Sequence, residues 1–151
     1  MDNILISTVS NFFDKSEKYE DVTILSNTSA IIYQLFPNIN WVGFYLLVDN
    51  VLQHGPFQGK PACMKIQLDK GVCGYCASTM KSVIVNDVHC FEGHIACDCN
   101  SKSELVVPII IDNKLYGLLD IDSPIINRFS SEDLLIFEKV IEIIIPLINK
   151  K

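Results

Sequence analysis

The sequence predicts an α+β fold, a central antiparallel sheet flanked by N- and C-terminal helices. Two observations carry that expectation. Amphipathic segments stand at both ends of the chain, and the middle is filled by apolar strands that fold back on themselves about short polar turns. At 151 residues the chain is read as one domain, 1–151, long enough to bury a substantial core.

The elements follow in order. Leu5, Val9, Phe12 and Phe13 mark a first helix; Ile24, Thr28, Ile31, Ile32 and Leu35 mark a second, closed by Pro37. NWVGFYLLVDNVLQHG then reads as two strands around a tight turn at Asp49 and Asn50. Residues 62–68 are expected to form another strand, GVCGYCASTMKS a short helix opened by glycines, and VIVND a brief strand. The polar stretch 87–103 is placed as a binding loop. ELVVPIIIDNKLYGLLDID is a second hairpin about a polar turn. SSEDLLIFEKVIEIII is a helix whose Ser130 and Asp133 have capping-box spacing. Isoleucine on nearly every side of this helix leaves a face for a partner subunit, the expectation being a homodimer.

With 49% hydrophobic and 20% charged residues the composition is globular, and a net charge of −6 opposes binding to nucleic acid or to anionic membranes. The N-terminus lacks the basic region of a signal peptide, and no apolar run is long enough to span a bilayer. The chain is therefore expected in the cytoplasm. A reducing compartment disfavours structural disulfides, so the six cysteines, at 63, 73, 76, 90, 97 and 99, point to metal binding or thiol chemistry.

Three constellations carry chemistry. Cys73 and Cys76 with Cys97 and Cys99, and His89 and His94 nearby, supply enough soft ligands for a zinc site, although a helical Cys73-Cys76 pair is unusual for zinc. Redox chemistry is the second. Cys73 falls at a helix start, where the dipole favours a thiolate, and Cys97 falls in a loop near His94. Cys76 and Cys90 are read as small buried hydrophobes. The third is acidic. Period two puts Tyr116, Leu118, Asp120 and Asp122 on one strand face and Leu115, Gly117, Leu119 and Ile121 on the other. Glu104 opens the preceding strand. Crowded carboxylates repel, so a shared pocket would hold a proton near neutral pH and seat a substrate ammonium. Trp41 and Tyr45 share one strand face, opposite Val42, Phe44 and Leu46, and could wall such a pocket.

NWVGFY, GPFQGKPAC, KGVCG, VNDVHCFEGHIACD, SELVVPI and LLDIDSP, in this order and spacing, resemble the free methionine-(R)-sulfoxide reductases, which are built on a GAF domain. The match runs from about residue 40 to 125, and the pair GPFQGKPAC and GHIACD is its most specific part. The resemblance implies a GAF-like fold and reduction of free L-methionine-(R)-sulfoxide. It implies that Cys97 is the nucleophile, that Cys63 resolves its sulfenic acid, and that Cys73 is an auxiliary thiol in recycling. It implies that Glu104, Asp120 and Asp122 hold the substrate and polarise the sulfoxide, with Trp41 and Tyr45 as the aromatic pocket. Thioredoxin is the implied reductant, and neither metal nor organic cofactor is needed. Cys76, Cys90, Glu92 and Cys99 depart from the family pattern. A GAF-type ligand sensor without turnover, or a structural zinc domain, are the alternatives.

Overall fold

The computed structural model describes residues 3–91, 93 and 100–148. In chain order they form α1 (Ile4–Phe12), α2 (Asp21–Leu35), β1 (Trp41–Val48), β2 (Val51–Gly59), β3 (Lys65–Gln67), α3 (Gly71–Thr79), β4 (Val83–Val85), β5 (Ser103–Ile111), β6 (Lys114–Ser123) and α4 (Ser131–Ile144). The strands make one antiparallel sheet in the order β3-β2-β1-β6-β5-β4. The predicted α+β class and both hairpins are therefore present.

Turn chemistry sets the two hairpins. Asp49 and Asn50 join β1 to β2 with φ of 51° and 62°, and Asp112 and Asn113 join β5 to β6 with φ of 53° and 63°. Two successive residues at positive φ twist the chain in the sense that strands need, and Asn and Asp tolerate that region better than other side chains. The hairpins then meet along β1 and β6, which become the centre of the sheet.

Both faces of the sheet are buried. Val42, Phe44, Leu119 and Ile121 pack with Leu5 and Val9 of α1, Ile24, Leu25 and Ile32 of α2, and Phe137, Val140 and Ile144 of α4. Trp41, Tyr45, Val106 and Leu118 face the other way, against Val72, Cys73, Cys76 and Ala77 of α3. Period two thus sorts one strand into two cores, which is why these strands read as nearly unbroken apolar runs.

Three expectations need correction. Tyr116 does not share a face with Leu118, because the β5–β6 register slips between Ile109↔Gly117 and Ile110↔Leu115. The extra residue is a bulge. It turns Tyr116 to the helical core, where its hydroxyl donates to Asp21 Oδ2 at 2.8 Å, and puts Leu115 in the α3-side core. The strand expected over 62–68 is only Lys65–Gln67. Before it, the Cys63 carbonyl accepts from Tyr45 Oη at 3.1 Å, a side-chain bond in place of strand pairing. Phe12 is exposed, whereas Phe13, just past the end of α1, turns into the core.

The capping box of α4 is complete: Asp133 N donates to Ser130 Oγ at 3.2 Å and Ser130 N to Asp133 Oδ2 at 2.9 Å. Leu135 on the same helix is exposed. No helix among the described residues is long and apolar enough to cross a membrane.

Gly43 decides how closely β1, β2 and Trp41 approach. A Cβ there would stand 2.3 Å from Phe57 Cβ and 2.7 Å from the edge of the Trp41 ring. Gly43→Ala is expected to destabilise the fold by about 1–3 kcal/mol through overpacking, read as a lower urea midpoint with unchanged slope.

Candidate active site

Strand register assembles the site. Trp41 pairs with Asp122 across β1 and β6, and Asp122 pairs with Glu104 across β6 and β5. One step along, Gly43 pairs with Asp120, and Asp120 with Val106. All these positions face α3, so three acids and an indole that lie far apart in sequence stand in two adjacent rows. The absent side chain at Gly43 leaves the space that the Trp41 ring fills.

The aromatic wall is held at both ends. Trp41 stacks on Phe57 with centroids 5.3 Å apart and on Tyr45 at 5.9 Å. Its Nε1 donates to the Lys60 carbonyl at 3.1 Å, as the Tyr45 hydroxyl does to that of Cys63. Each ring buries its apolar body while its polar tip stays bonded. These bonds also bring residues 60–63 against the pocket.

Helix α3 closes the cleft from above. Its third residue, Cys73, points at Glu104 Oε2 at 3.8 Å. The Cys73 sulfur and one oxygen each of Glu104 and Asp120 all lie within 4.8 Å of one another, and all three residues are buried. The cleft, a cavity of about 40 Å³, is lined by Trp41, Tyr45, Ala62, Val72, Cys73, Ser101, Glu104, Asp120 and Asp122 among others.

This arrangement stores protons. Burial, then the charges of Asp120 and Asp122, push Glu104 well above the usual carboxylate range. Burial also raises Asp120, only partly opposed by hydrogen bonds with Glu104 and Cys73. Asp120 Oδ1 is buried and meets no hydrogen-bond donor. The cleft therefore offers a protonated acid beside an unfilled acceptor, which suits a ligand carrying both a basic oxygen and an ammonium.

The expected site residues Trp41, Tyr45, Cys73, Glu104, Asp120 and Asp122 come together. Cys63 is half-buried beside them and is disulfide-bonded, while Cys73, Cys76 and Cys90 are free. Cys97, Cys99, His94 and Glu92 lie outside the described residues. Two cysteine expectations are overturned. Cys73 is not a thiolate favoured by a helix start, because burial and then the charges of Asp120, Glu104 and Asp122 push its pKa well up. Cys90 is exposed rather than buried, on a single turn at 88–90 that packs only Val88 inward. Cys76 is buried as expected.

Of the described members of the supposed zinc set, Cys73 and Cys76 sit on α3, whereas His89 is largely exposed and contacts Asp87 at 3.2 Å. Cys73, Glu104 and Asp120 are the cluster whose donor atoms converge among the described residues. Ser101 and Val72 were not anticipated. Val72 adjoins Cys73 in the KGVCG stretch, a usable signal, whereas Ser101, which accepts from Asn40 Nδ2 at 3.1 Å, carries none.

Comparison with known proteins agrees with this geometry. The GAF domain family model matches residues 22–144, so the fold and its cleft are those of a GAF domain. The chain is 50% identical over 109 residues to the free methionine-R-sulfoxide reductase of Escherichia coli (strain K12), covering 72% of this chain and 66% of that protein. The fRMsr of Staphylococcus aureus, solved in complex with its substrate, superposes with a TM-score of 0.87 at 48% identity, covering 93% of this chain and 91% of that one. The free methionine-R-sulfoxide reductase from Neisseria meningitidis, also in complex with its substrate, superposes with a TM-score of 0.87 at 34% identity, covering 92% and 83%. The chain belongs to the free methionine-(R)-sulfoxide reductases, oxidoreductases built on a GAF domain.

The acid cluster has a consequence for stability. Glu104 and Asp120 bind protons more tightly folded than unfolded, so stability is full below their ordinary values of 4.5 and 3.8 and declines as pH rises through the raised ones. Glu104→Gln keeps the shape without the charge. It is expected to flatten that decline and raise the urea midpoint between about pH 6 and 8, in a series of melts across pH.

Proposed function

We propose that this chain, residues 1–151 folded as one GAF domain, reduces free L-methionine-(R)-sulfoxide to L-methionine by thiol chemistry. The single observation that carries the reading is the buried, proton-holding Glu104–Asp120 pair facing the Trp41–Tyr45 wall, in a chain that belongs to this family. The substrate complexes of the S. aureus and N. meningitidis relatives support the choice of ligand.

The substrate's methyl sulfoxide end packs against Trp41, and its ammonium sits between Asp120 and Asp122, where Asp120 Oδ1 lacks a donor. The closed acidic seat favours a free amino acid over a peptide, whose backbone nitrogen carries no positive charge. Glu104 protonates the sulfoxide oxygen while the Cys97 thiolate attacks sulfur. Methionine departs, and the oxygen stays on Cys97 as a sulfenic acid. The Cys63 thiol then attacks that sulfur, water leaves, and a Cys63–Cys97 disulfide forms. The disulfide borne by Cys63 supports this pairing.

Thioredoxin, a dithiol, restores the thiols by exchange, and no metal or organic cofactor takes part. A cytoplasmic location suits that partner. Exposed Ile4 and Phe12 on α1 and Leu135 on α4, two helices that pack together, support a homodimer.

Three carboxyl groups near the reaction oppose a thiolate on Cys97. The arriving ammonium offsets part of that charge, so activation is assisted by substrate. The Cys97 thiol pKa is expected to fall when the ligand binds, measured by alkylation rate against pH; an unchanged value would count against assistance.

The main test incubates pre-reduced protein with free L-methionine-(R)-sulfoxide and no reductant. Two thiols should disappear per methionine formed, and Cys97→Ser should form none. Intact thiols and no methionine would overturn the reading in favour of a sensor. Glu104→Gln should lower kcat about 10²–10⁴-fold, the scale of a lost general acid, while binding substrate nearly as well.

A further inference from the structure

Cys76 has no part in the reaction above, yet it lies three residues after Cys73 on α3, and both thiols are free and buried. Residues three apart share a helix face, with Cβ atoms about 5–6 Å apart. A disulfide needs them at about 3.5–4.5 Å, so the turn has to tighten by roughly 1–2 Å. Glycine has the lowest helix propensity of the residues other than proline. α3 has nine residues, and glycines at 71 and 74 flank Cys73 on both sides. The two sulfurs are close enough for a charge on one to act on the other.

Cys63 packs against the same core cluster as Cys73 and Cys76. Tyr45 holds the Cys63 carbonyl, and its hydroxyl senses charge on Cys73. Glu104, which gives up its proton during reduction, is the group that the Cys73 thiol faces.

We propose that Cys73 and Cys76 are an internal reserve dithiol that takes over the active-site disulfide, so that a reduced chain completes two sulfoxide reductions before it needs an external reductant. The proposal rests on the reductase reading. After the first reduction Glu104 is a carboxylate, and it accepts the proton of the Cys73 thiol. The Cys73 thiolate attacks Cys63 Sγ; the Cys63 disulfide breaks, a Cys73–Cys63 bond forms, and the nucleophile Cys97 leaves as a thiolate. Glu104 is protonated again and the nucleophile is charged, which is the state that began the first turnover. Cys76 then attacks Cys73 Sγ, its proton passes to Cys63, and a Cys73–Cys76 disulfide remains. The second sulfoxide supplies the second pair of oxidising equivalents. At rest, burial keeps both reserve thiols protonated, Cys76 pushed up to about 12, so solution oxidants do not spend them.

The test is a single burst. Pre-reduced full-length chain receives excess free L-methionine-(R)-sulfoxide without reductant; methionine and lost thiols are counted, and disulfides are mapped by peptide digestion. Two methionines per chain, four thiols lost and a Cys73–Cys76 peptide pair are expected. Cys76→Ala should give one methionine in the burst but a wild-type rate with excess dithiothreitol, which also shows that the variant folds. One methionine from wild type, no Cys73–Cys76 pair, or two methionines from wild type and Cys76→Ala alike would each overturn the reserve. No methionine from wild type would overturn the reductase reading instead.

Discussion

The antiparallel pairing of β1, β6 and β5 around Trp41, Asp122 and Glu104 is the constraint on which the rest of the site depends. Side chains in a sheet alternate faces, so a slip of one residue would send all three acids into the helical core and bring Phe44, Leu119 and Ile121 into the cleft. The register is protected by the two Asp-Asn turns that set the hairpins and by burial on both faces. Within these three strands the bulge at Tyr116 lies away from the acid rows, toward the hairpin end of β6, while the register shift between Gly43 and Tyr45 falls on the other edge of β1, against β2.

That register creates an electrostatic problem which the site turns to use. Burial and the neighbouring acids push Glu104 up and burial pushes Asp120 up, so the least costly state is protonated. An apolar or singly acidic face would fold more comfortably, but it would offer a ligand neither a proton nor an unfilled acceptor. Stability and chemistry therefore pull in opposite directions at the same two carboxyl groups. Helix α3 places a thiol against them, and Gly74 lets the helix lie close on the end of β3, where a side chain would strike the Gln67 carbonyl at 2.7 Å.

The same contact links acid chemistry to sulfur chemistry. Cys73 lies 3.8 Å from Glu104 Oε2 and shares one core cluster with Cys76, with Cys63 packed against it.

Local patterns in the sequence determined the hairpins, the capping box at Ser130 and the opposed faces of Trp41 and Phe44, because turn dihedrals, caps and period two act over a few residues. The motifs named the family and its acids for the same reason, since each is a short contiguous string. Only the tertiary structure decided that Glu104, Asp120 and Cys73 share one buried space, because that depends on three separate elements and their exclusion of water. The pKa of Cys73 turned on this: its helix position argued for a thiolate, and burial against two acids reversed the sign. The flip of Tyr116 and the shortness of β3 were equally invisible, since a bulge and a side-chain bond to a carbonyl depend on partners far away in the chain.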